Sequence, residues 1–260
     1  MTVEYAPHGL IGVLTPQANT TVEPEFWVML PPGVAMINAR MMSDRDTLEG
    51  RLLDYFEQLD TAVRQFHNAP IGAIALGTTG ASYVAGIPRE RDAVAALTKK
   101  MGVPFITAGL AVVLALNTLK AKRIGIVSPY PAPLTKACIP YWEEHGLKVD
   151  GVVQIANHPD EFHPIYSIAA ASAQEGLAEL EDMNLDAIVM LGTGMPTLEP
   201  ILERPEVGGA PVMSCMLCLG WASIDAVRGR KADADALRAF IRADGWGDRL
   251  RARAIGARGE

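Results

Sequence analysis

A chain of 260 residues with 49% apolar and 20% charged positions has the composition of a globular protein, large enough to bury a full core without disulfide staples. A net charge of -7 argues against a nucleic-acid partner, because phosphate binding needs clustered Lys and Arg, and no apolar run reaches the length of a membrane span. The first residues, Met1 to Leu10, lack the charged-then-apolar pattern of a secretory signal, and the three cysteines Cys138, Cys215 and Cys218 are too irregular for a disulfide framework, so a cytoplasmic protein is expected.

The first strand is read at Gly9 to Thr15. It leads into the loop Pro16-Gln-Ala-Asn-Thr-Thr21 and a short helix through Glu23 to Leu30. Asn19, Thr20 and Thr21 place side-chain donors just past a strand end, where they can hold a ligand or cap the helix. A second strand, Val34 to Met41, carries Arg40 near its end, as a carboxylate partner or a surface residue. From Asp46 to Asn68, Leu48, Leu52, Phe56, Leu59, Val63 and Phe66 recur at helical spacing, which predicts one long amphipathic helix.

Ile71-Gly-Ala-Ile-Ala-Leu-Gly-Thr-Thr-Gly-Ala-Ser-Tyr83 is the centre of the chain: a short apolar run closed by small and hydroxylated residues reads as a buried parallel strand opening into a loop. Ligands of open α/β sheets collect beyond the carboxyl ends of the strands. Gly77 and Gly80 make backbone N–H groups approachable there, and Thr78, Thr79 and Ser82 add hydroxyls, a donor set suited to a carboxylate. The other reading is a tight turn that needs glycine for its backbone angles. Pro88 then starts a helix, Pro104 to Thr107 is a short strand, and Ala108 to Lys122 is a helix apolar on most faces, buried inside the chain or at a subunit interface. That helix is the reason a homo-oligomer is expected.

From Arg123 the pattern repeats. Ile124-Gly-Ile-Val-Ser-Pro129 answers Ile11-Gly-Val-Leu-Thr-Pro16 about 113 positions on, Ala187-Ile-Val-Met-Leu-Gly-Thr-Gly194 answers Ala73 to Gly80, and Pro211-Val-Met-Ser214 answers Pro104 to Thr107. Alternating strands and helices in both sets predict an α/β protein of two similar doubly wound parallel-sheet halves, related by a pseudo-twofold with the cleft between them. The expected division is residues 1–107 with 215–260 in one half and 108–214 in the other. The cleft is then lined by Asn19, the Gly77 loop, Ser128 to Tyr130, the loop of Gly192, Thr193 and Gly194, and Ser214 to Cys215.

Three other features read as structural. Cys215 and Cys218 form a C-x-x-C with no second pair at zinc spacing, and Met213 to Trp221 reads as a strand end running into a buried helix. Asn157 to Pro164, with His158, Asp160, Glu161 and His163, reads as a capping loop; a lid supplying a histidine, or a metal site, are the alternatives. Arg249, Arg251, Arg253 and Arg258 read as a solvated tail. No G-x-G-x-x-G follows a strand and no phosphate loop exists, so no nucleotide or metal cofactor is expected.

Pro16-Gln-Ala-Asn-Thr-Thr-Val-Glu23, Ser128-Pro-Tyr-Pro-Ala-Pro-Leu-Thr135 and Gly194-Met-Pro-Thr-Leu198 resemble maleate cis-trans isomerase segments, and Gly77 to Tyr83 is similar to arylmalonate decarboxylase. The chain thus resembles the aspartate/glutamate racemase superfamily from about Leu10 to Val227. The resemblance implies that Asn19 holds a substrate carboxylate and that Thr78, Thr79 and Tyr130 form a dioxyanion hole. It also implies a catalytic cysteine at the end of one or both central strands, positions where this chain has Gly77 and Gly192. Without that pair of thiols a two-cysteine racemisation is not expected, whereas decarboxylation needs mainly the dioxyanion hole and a proton donor, for which Cys215 is a candidate beside its reading as a small buried apolar residue.

Three readings follow. The first is a cofactor-independent lyase acting on a small dicarboxylate or substituted malonate. The second is an isomerase or hydratase-like enzyme on a maleate-like C4 diacid, and the third is a catalytically silent carboxylate-binding protein.

Overall fold

The computed structural model of the chain describes residues 3–156 and 165–257; His158, Asp160, Glu161, His163 and Arg258 lie outside them. The first half runs β1 (Gly9–Pro16), α1 (Val22–Met29), β2 (Val34–Met41), α2 (Leu48–Glu57), α3 (Leu59–Ala62), β3 (Ala73–Leu76), α4 (Gly80–Ala85), α5 (Ile87–Met101) and β4 (Phe105–Thr107). The connecting helix α6 (Ala108–Leu119) is followed by β5 (Arg123–Ser128), α7 (Ala132–Glu144), β6 (Lys148–Gln154), α8 (Ala170–Ala178), β7 (Ala187–Met190), α9 (Leu198–Glu203), β8 (Glu206–Val207) and β9 (Ala210–Ser214). The chain ends in α10 (Cys215–Val227), α11 (Ala234–Ile241) and α12 (Gly247–Ala257).

The two sheets repeat one topology. The first has the parallel order β2-β1-β3-β4; the second has β6-β5-β7-β9, also parallel, with the short β8 added antiparallel to β9. The central strands β3 and β7 are buried along their whole length, as strands covered by helices on both faces must be, whereas β2 and β6 at the sheet edges keep exposed positions. Leu14 pairs with Leu76 and Val127 with Met190, so in each sheet the first and third strands end at one level and release their loops side by side.

Helices α6 and α10 begin directly at the ends of β4 and β9. Each starts with a side-chain cap: Thr107 Oγ1 accepts from Leu110 N at 3.1 Å, and Ser214 Oγ accepts from Leu217 N at 3.0 Å. The two helices pack against each other, and α10 also lies on α1, β1 and β3 of the first sheet. The apolarity of α6 is thereby accounted for within the chain, where Ala108, Ala111, Val112, Ala115 and Leu116 are fully buried; only Leu114 among its leucines and valines is well exposed.

Two expectations are corrected. The single helix from Asp46 to Asn68 is broken at Gln58, whose carbonyl accepts from both Thr61 N and Ala62 N, and the chain then tightens into α3 and a 3-10 turn at Val63–Phe66. This brings the Phe66 ring over Gly12, where a Cβ would stand 2.9 Å from the ring, so the stripe follows the sheet surface instead of one straight axis. Arg249 is not part of a solvated tail: its guanidinium donates to Val28 O at 2.7 Å and Met29 O at 3.0 Å, satisfying carbonyls at the C-terminus of α1. No helix among the described residues is long and apolar enough to cross a membrane.

Candidate active site

The loops after β1, β3, β5 and β7 meet where the two sheets face each other. Asn19 Oδ1 accepts from Thr21 N and Val22 N at 2.8 and 2.9 Å, shaping the start of α1, while its Nδ2 donates to Thr193 O at 3.0 Å across the interface between the halves. Capping and cleft-lining are therefore done by one side chain. Thr193 Oγ1 donates to Gly77 O at 2.8 Å and Thr21 Oγ1 to Gly194 O at 2.8 Å, so each half grips the glycine loop of the other. Arg40 braces this arrangement from behind: its guanidinium donates to Pro16 O, to Asn19 O and to the Glu23 carboxylate, which leaves it no substrate role.

Between these loops lies a cavity of about 30 Å³, lined on its polar side by Asn19, Thr78, Tyr130, Thr193 and Gly194. Leu48, Leu52 and Ile165 supply apolar wall, and Arg51, Tyr55 and Tyr166 complete it. Arg51 Nη1 donates to Arg45 O and Asp46 O, and no carboxylate among the described residues pairs with it. These last three residues were not found from the sequence. The helical pattern of α2 marks its buried face, but Arg51 and Tyr55 flank the cavity only because α2 packs against α4, which carries the Gly77 loop. Gly194 is needed as glycine there, since a Cβ would fall 2.5 Å from the Tyr166 ring.

Tyr130 lines the cavity, and Thr79 and Cys215 converge with it in the buried layer next to the wall. Thr79 Oγ1 is fully buried without a hydrogen bond of good geometry, although it faces both the Tyr130 hydroxyl and the Cys215 thiol. Burial pushes the Tyr130 phenol well above its ordinary value, so it is a neutral donor. Burial also pushes the Cys215 thiol up to about 11, against the partial offset of Thr79 and of the Gly192 backbone N–H. Gly192 has φ of 79°, and a Cβ there would stand 3.0 Å from Pro129 and 3.4 Å from the Tyr130 hydroxyl. The thiol of this region thus comes from the start of α10, while the end of β7 supplies backbone.

Gly77 and Gly80 act through packing and backbone. Gly77 N donates to Leu14 O, and a Cβ on Gly80 would collide with Leu52 at 2.8 Å. Ser82 turns away from the cavity. Its hydroxyl donates to Glu90 Oε1 at 2.5 Å, and the same buried carboxyl group receives Thr107 Oγ1 at 2.6 Å and, on Oε2, Tyr141 OH at 2.8 Å. Glu90 therefore ties α4, the cap of α6 and α7 of the second half together. A Glu90→Leu substitution leaves three buried hydroxyls without their acceptor and is expected to cost about 3 to 5 kcal/mol of unfolding free energy, read by urea denaturation.

A second buried carboxyl group, Glu25 on α1, receives Thr197 N at 2.6 Å and Leu198 N at 3.1 Å, with Thr197 Oγ1 3.2 Å from its Oε2. Desolvation outweighs these bonds and raises it to about 7. Because the folded pKa lies above the unfolded one, the folded state holds the extra proton between about pH 4.5 and 7. Stability is expected to fall by about 3 kcal/mol as pH rises through that window and to level off above it, since each tenfold difference in proton affinity between the folded and unfolded chain is worth roughly 1.4 kcal/mol. Denaturation curves of wild type and Glu25→Gln across that range check this; the variant should lack the slope.

Two parallel sheets of matching order, facing loops rich in hydroxyl and N–H donors, and buried neutral acids define a two-lobed α/β protein with a cleft suited to a carboxylate. A profile of the arylmalonate decarboxylase family matches residues 11–239, and the chain belongs to that family. It is 26% identical over 227 residues to the maleate isomerase of Geobacillus stearothermophilus, covering 80% of this chain and 88% of the relative. In three dimensions it resembles a maleate cis-trans isomerase variant of Nocardia farcinica solved with a covalently bound succinylcysteine intermediate, with a TM-score of 0.77 at 20% identity over 88% of this chain and 98% of that one. The crystal structure of arylmalonate decarboxylase superposes with a TM-score of 0.72 at 19% identity, over 85% of this chain and 93% of the other. These relatives are enzymes of the aspartate/glutamate racemase superfamily, lyases and isomerases, and share its two-lobed fold with this chain.

Proposed function

We propose that the protein is a cofactor-independent decarboxylase of a substituted malonate. The observation that carries this is the chemistry of the cavity wall, where Thr78 and Tyr130 offer hydroxyls, Thr79 stands directly against Tyr130, and the nearby thiol is neutral. Such a site donates hydrogen bonds and protons, and holds no ionised nucleophile. One substrate carboxylate sits against Thr78, Thr79 and Tyr130, with Asn19 and the Thr193 loop closing over it. The bond from the α-carbon to the second carboxylate breaks, carbon dioxide leaves, and the electron pair passes into the retained carboxylate as an enediolate. That developing charge is what the hydroxyls stabilise more strongly than the starting carboxylate. The Cys215 S–H then gives its proton to the α-carbon, and the thiolate regains one from water.

Arg51 favours a second reading. A cation in the cavity wall with no carboxylate partner among the described residues suits a second carboxylate held apart from the first, as in a C4 diacid, and the curated relatives are named maleate isomerases. Addition of a thiolate to the double bond is disfavoured here, because a thiol at about 11 is ionised to roughly one part in 10⁴ at neutral pH.

Proton NMR in heavy water with methylmalonate, phenylmalonate, maleate and maleamate separates the two. Loss of carbon dioxide with one deuterium on the α-carbon of the product is the expected result. Conversion of maleate to the trans alkene with both malonates untouched overturns it in favour of the isomerase.

A further inference from the structure

A buried carboxyl group that no step of the proposed chemistry touches is linked by hydrogen bonds to Ser214, the cap of the helix that Cys215 opens. Thr197 Oγ1 stands 3.2 Å from Glu25 Oε2 and donates to Ser214 Oγ at 2.8 Å, and Ser214 Oγ accepts from Leu217 N in the first turn of α10, the turn that Cys215 opens. Glu25, Thr197, Ser214 and Cys215 are all buried, so solvent does not compete for these bonds. The other half supplies an internal comparison. Thr107 caps α6 as Ser214 caps α10, and it too is bonded to a buried glutamate, Glu90, at 2.6 Å. In the first half the carboxyl group holds the cap directly; in the second it does so through Thr197. Both helix starts are fixed by a carboxyl group, and only one of them carries a thiol.

We infer that Glu25 is the positioning residue for Cys215, acting through Thr197 and Ser214. The inference rests on the reading of Cys215 as proton donor. Its physical content is a count of protons. Thr197 has one hydroxyl proton and two acceptors in reach, Glu25 Oε2 and Ser214 Oγ. With Glu25 ionised, that proton goes to the carboxylate and Ser214 donates back to Thr197. With Glu25 protonated, the carboxyl group donates to Thr197, Thr197 donates to Ser214, and the Ser214 proton is released from the chain. Ser214 immediately precedes Cys215, so the two protonation states present different hydrogen bonding to the backbone that aims the thiol.

The charged and titratable groups on the elements around Glu25 are Glu23 on its own helix, Arg40 on β2, Glu199 and Glu203 on α9, Cys215, Cys218 and Asp225 on α10, and Asp248, Arg249, Arg251 and Arg253 on α12. Arg40 is paired with Glu23 and Arg249 with the carbonyls of Val28 and Met29, and no ion pair reaches Glu25 among the described residues. The hydroxyl chain is therefore the route by which its charge state acts.

The test is the kcat-against-pH profile of wild type, Glu25→Gln, Thr197→Val and the double variant. Wild type should show an inflection near neutrality. Glu25→Gln, nearly isosteric and fixed in the donating direction, should lack it, with kcat about 10- to 100-fold lower at pH 8 and KM within about twofold. The two substitutions should be less than additive, because they break one path. An unchanged profile with only a shifted melting temperature, or strictly additive losses, overturns the inference. If wild type turns over neither malonates nor maleate, the functional reading has failed by itself. The inference is then judged by the S–H stretching band of Cys215 in the infrared between pH 6 and 8, read in a Cys138→Ala/Cys218→Ala background, which reports the thiol's hydrogen bonding without needing it exposed. A pH dependence that differs between wild type and Glu25→Gln sustains it, and identical dependences overturn it.

Discussion

Replacing Cys215 by Ala is expected to lower kcat by about 10²- to 10⁴-fold, the range contributed by a positioned general acid. The argument is geometric before it is electrostatic. The thiol lies beside Thr79 and the Gly192 backbone, in the buried layer that Tyr130 separates from the cavity, and its burial keeps it protonated across the neutral range. A proton donor must hold its proton until the enediolate forms, so a thiol at about 11 is suited to this task and unsuited to nucleophilic attack. Rate should therefore be lost on the alkaline side only as the thiol ionises. Cys215→Ser should not restore activity, because an alcohol is a far weaker acid. Cys138→Ala and Cys218→Ala are the controls: Cys138 donates to Thr135 O within α7, and Cys218 is buried in α10, so both should leave turnover near wild type. Steady-state kinetics on a malonate that the enzyme accepts decides the matter.

The second large effect is expected at Tyr130. Tyr130→Phe removes one donor to the developing oxyanion and should cost about 10²- to 10³-fold in kcat, the loss typical of a single oxyanion-hole donor. KM should change little, because the hydroxyl is worth most when charge accumulates in the transition state. Thr79→Val should behave in the same way. Its buried hydroxyl faces the Tyr130 phenol and the Cys215 thiol, where it can donate to the same developing oxyanion. A loss confined to KM in either variant would assign these hydroxyls to ground-state binding alone.

The repeat in the sequence carried most of the architecture. Short apolar strands ending in glycine or serine at matching offsets predict two equivalent sheets, and the sheets share the order of their four parallel strands. The motif loops were legible for the same reason: strand ends in a parallel sheet fix where loops emerge. What the sequence hid are contacts made by residues whose types normally point to solvent. Glu90 sits within Pro88-Arg-Glu-Arg-Asp92 and reads as one charge in a solvated helix start, yet it is 1% exposed and collects three hydroxyls from three other elements. Glu25 left a clue, a carboxyl group inside the apolar run from Phe26 to Leu30 and its preceding turn, but its partners Thr197 and Leu198 are more than 170 positions away. Ser82 read as a ligand donor because it follows the Gly77 loop; one helical turn into α4 carries its hydroxyl to Glu90 instead. The break at Gln58 and the capping by Arg249 depend on the surface each segment meets, which periodicity does not encode.

The most direct test uses a malonate bearing two different α-substituents, methyl(phenyl)malonate, and chiral analysis of the monoacid formed. A proton delivered by Cys215 from one fixed side of an enediolate held by Thr78, Thr79 and Tyr130 must give one enantiomer, and the slow residual product of Cys215→Ala must be racemic or nearly so. Racemic product from the wild-type protein, or an undiminished single enantiomer from Cys215→Ala, would contradict the account.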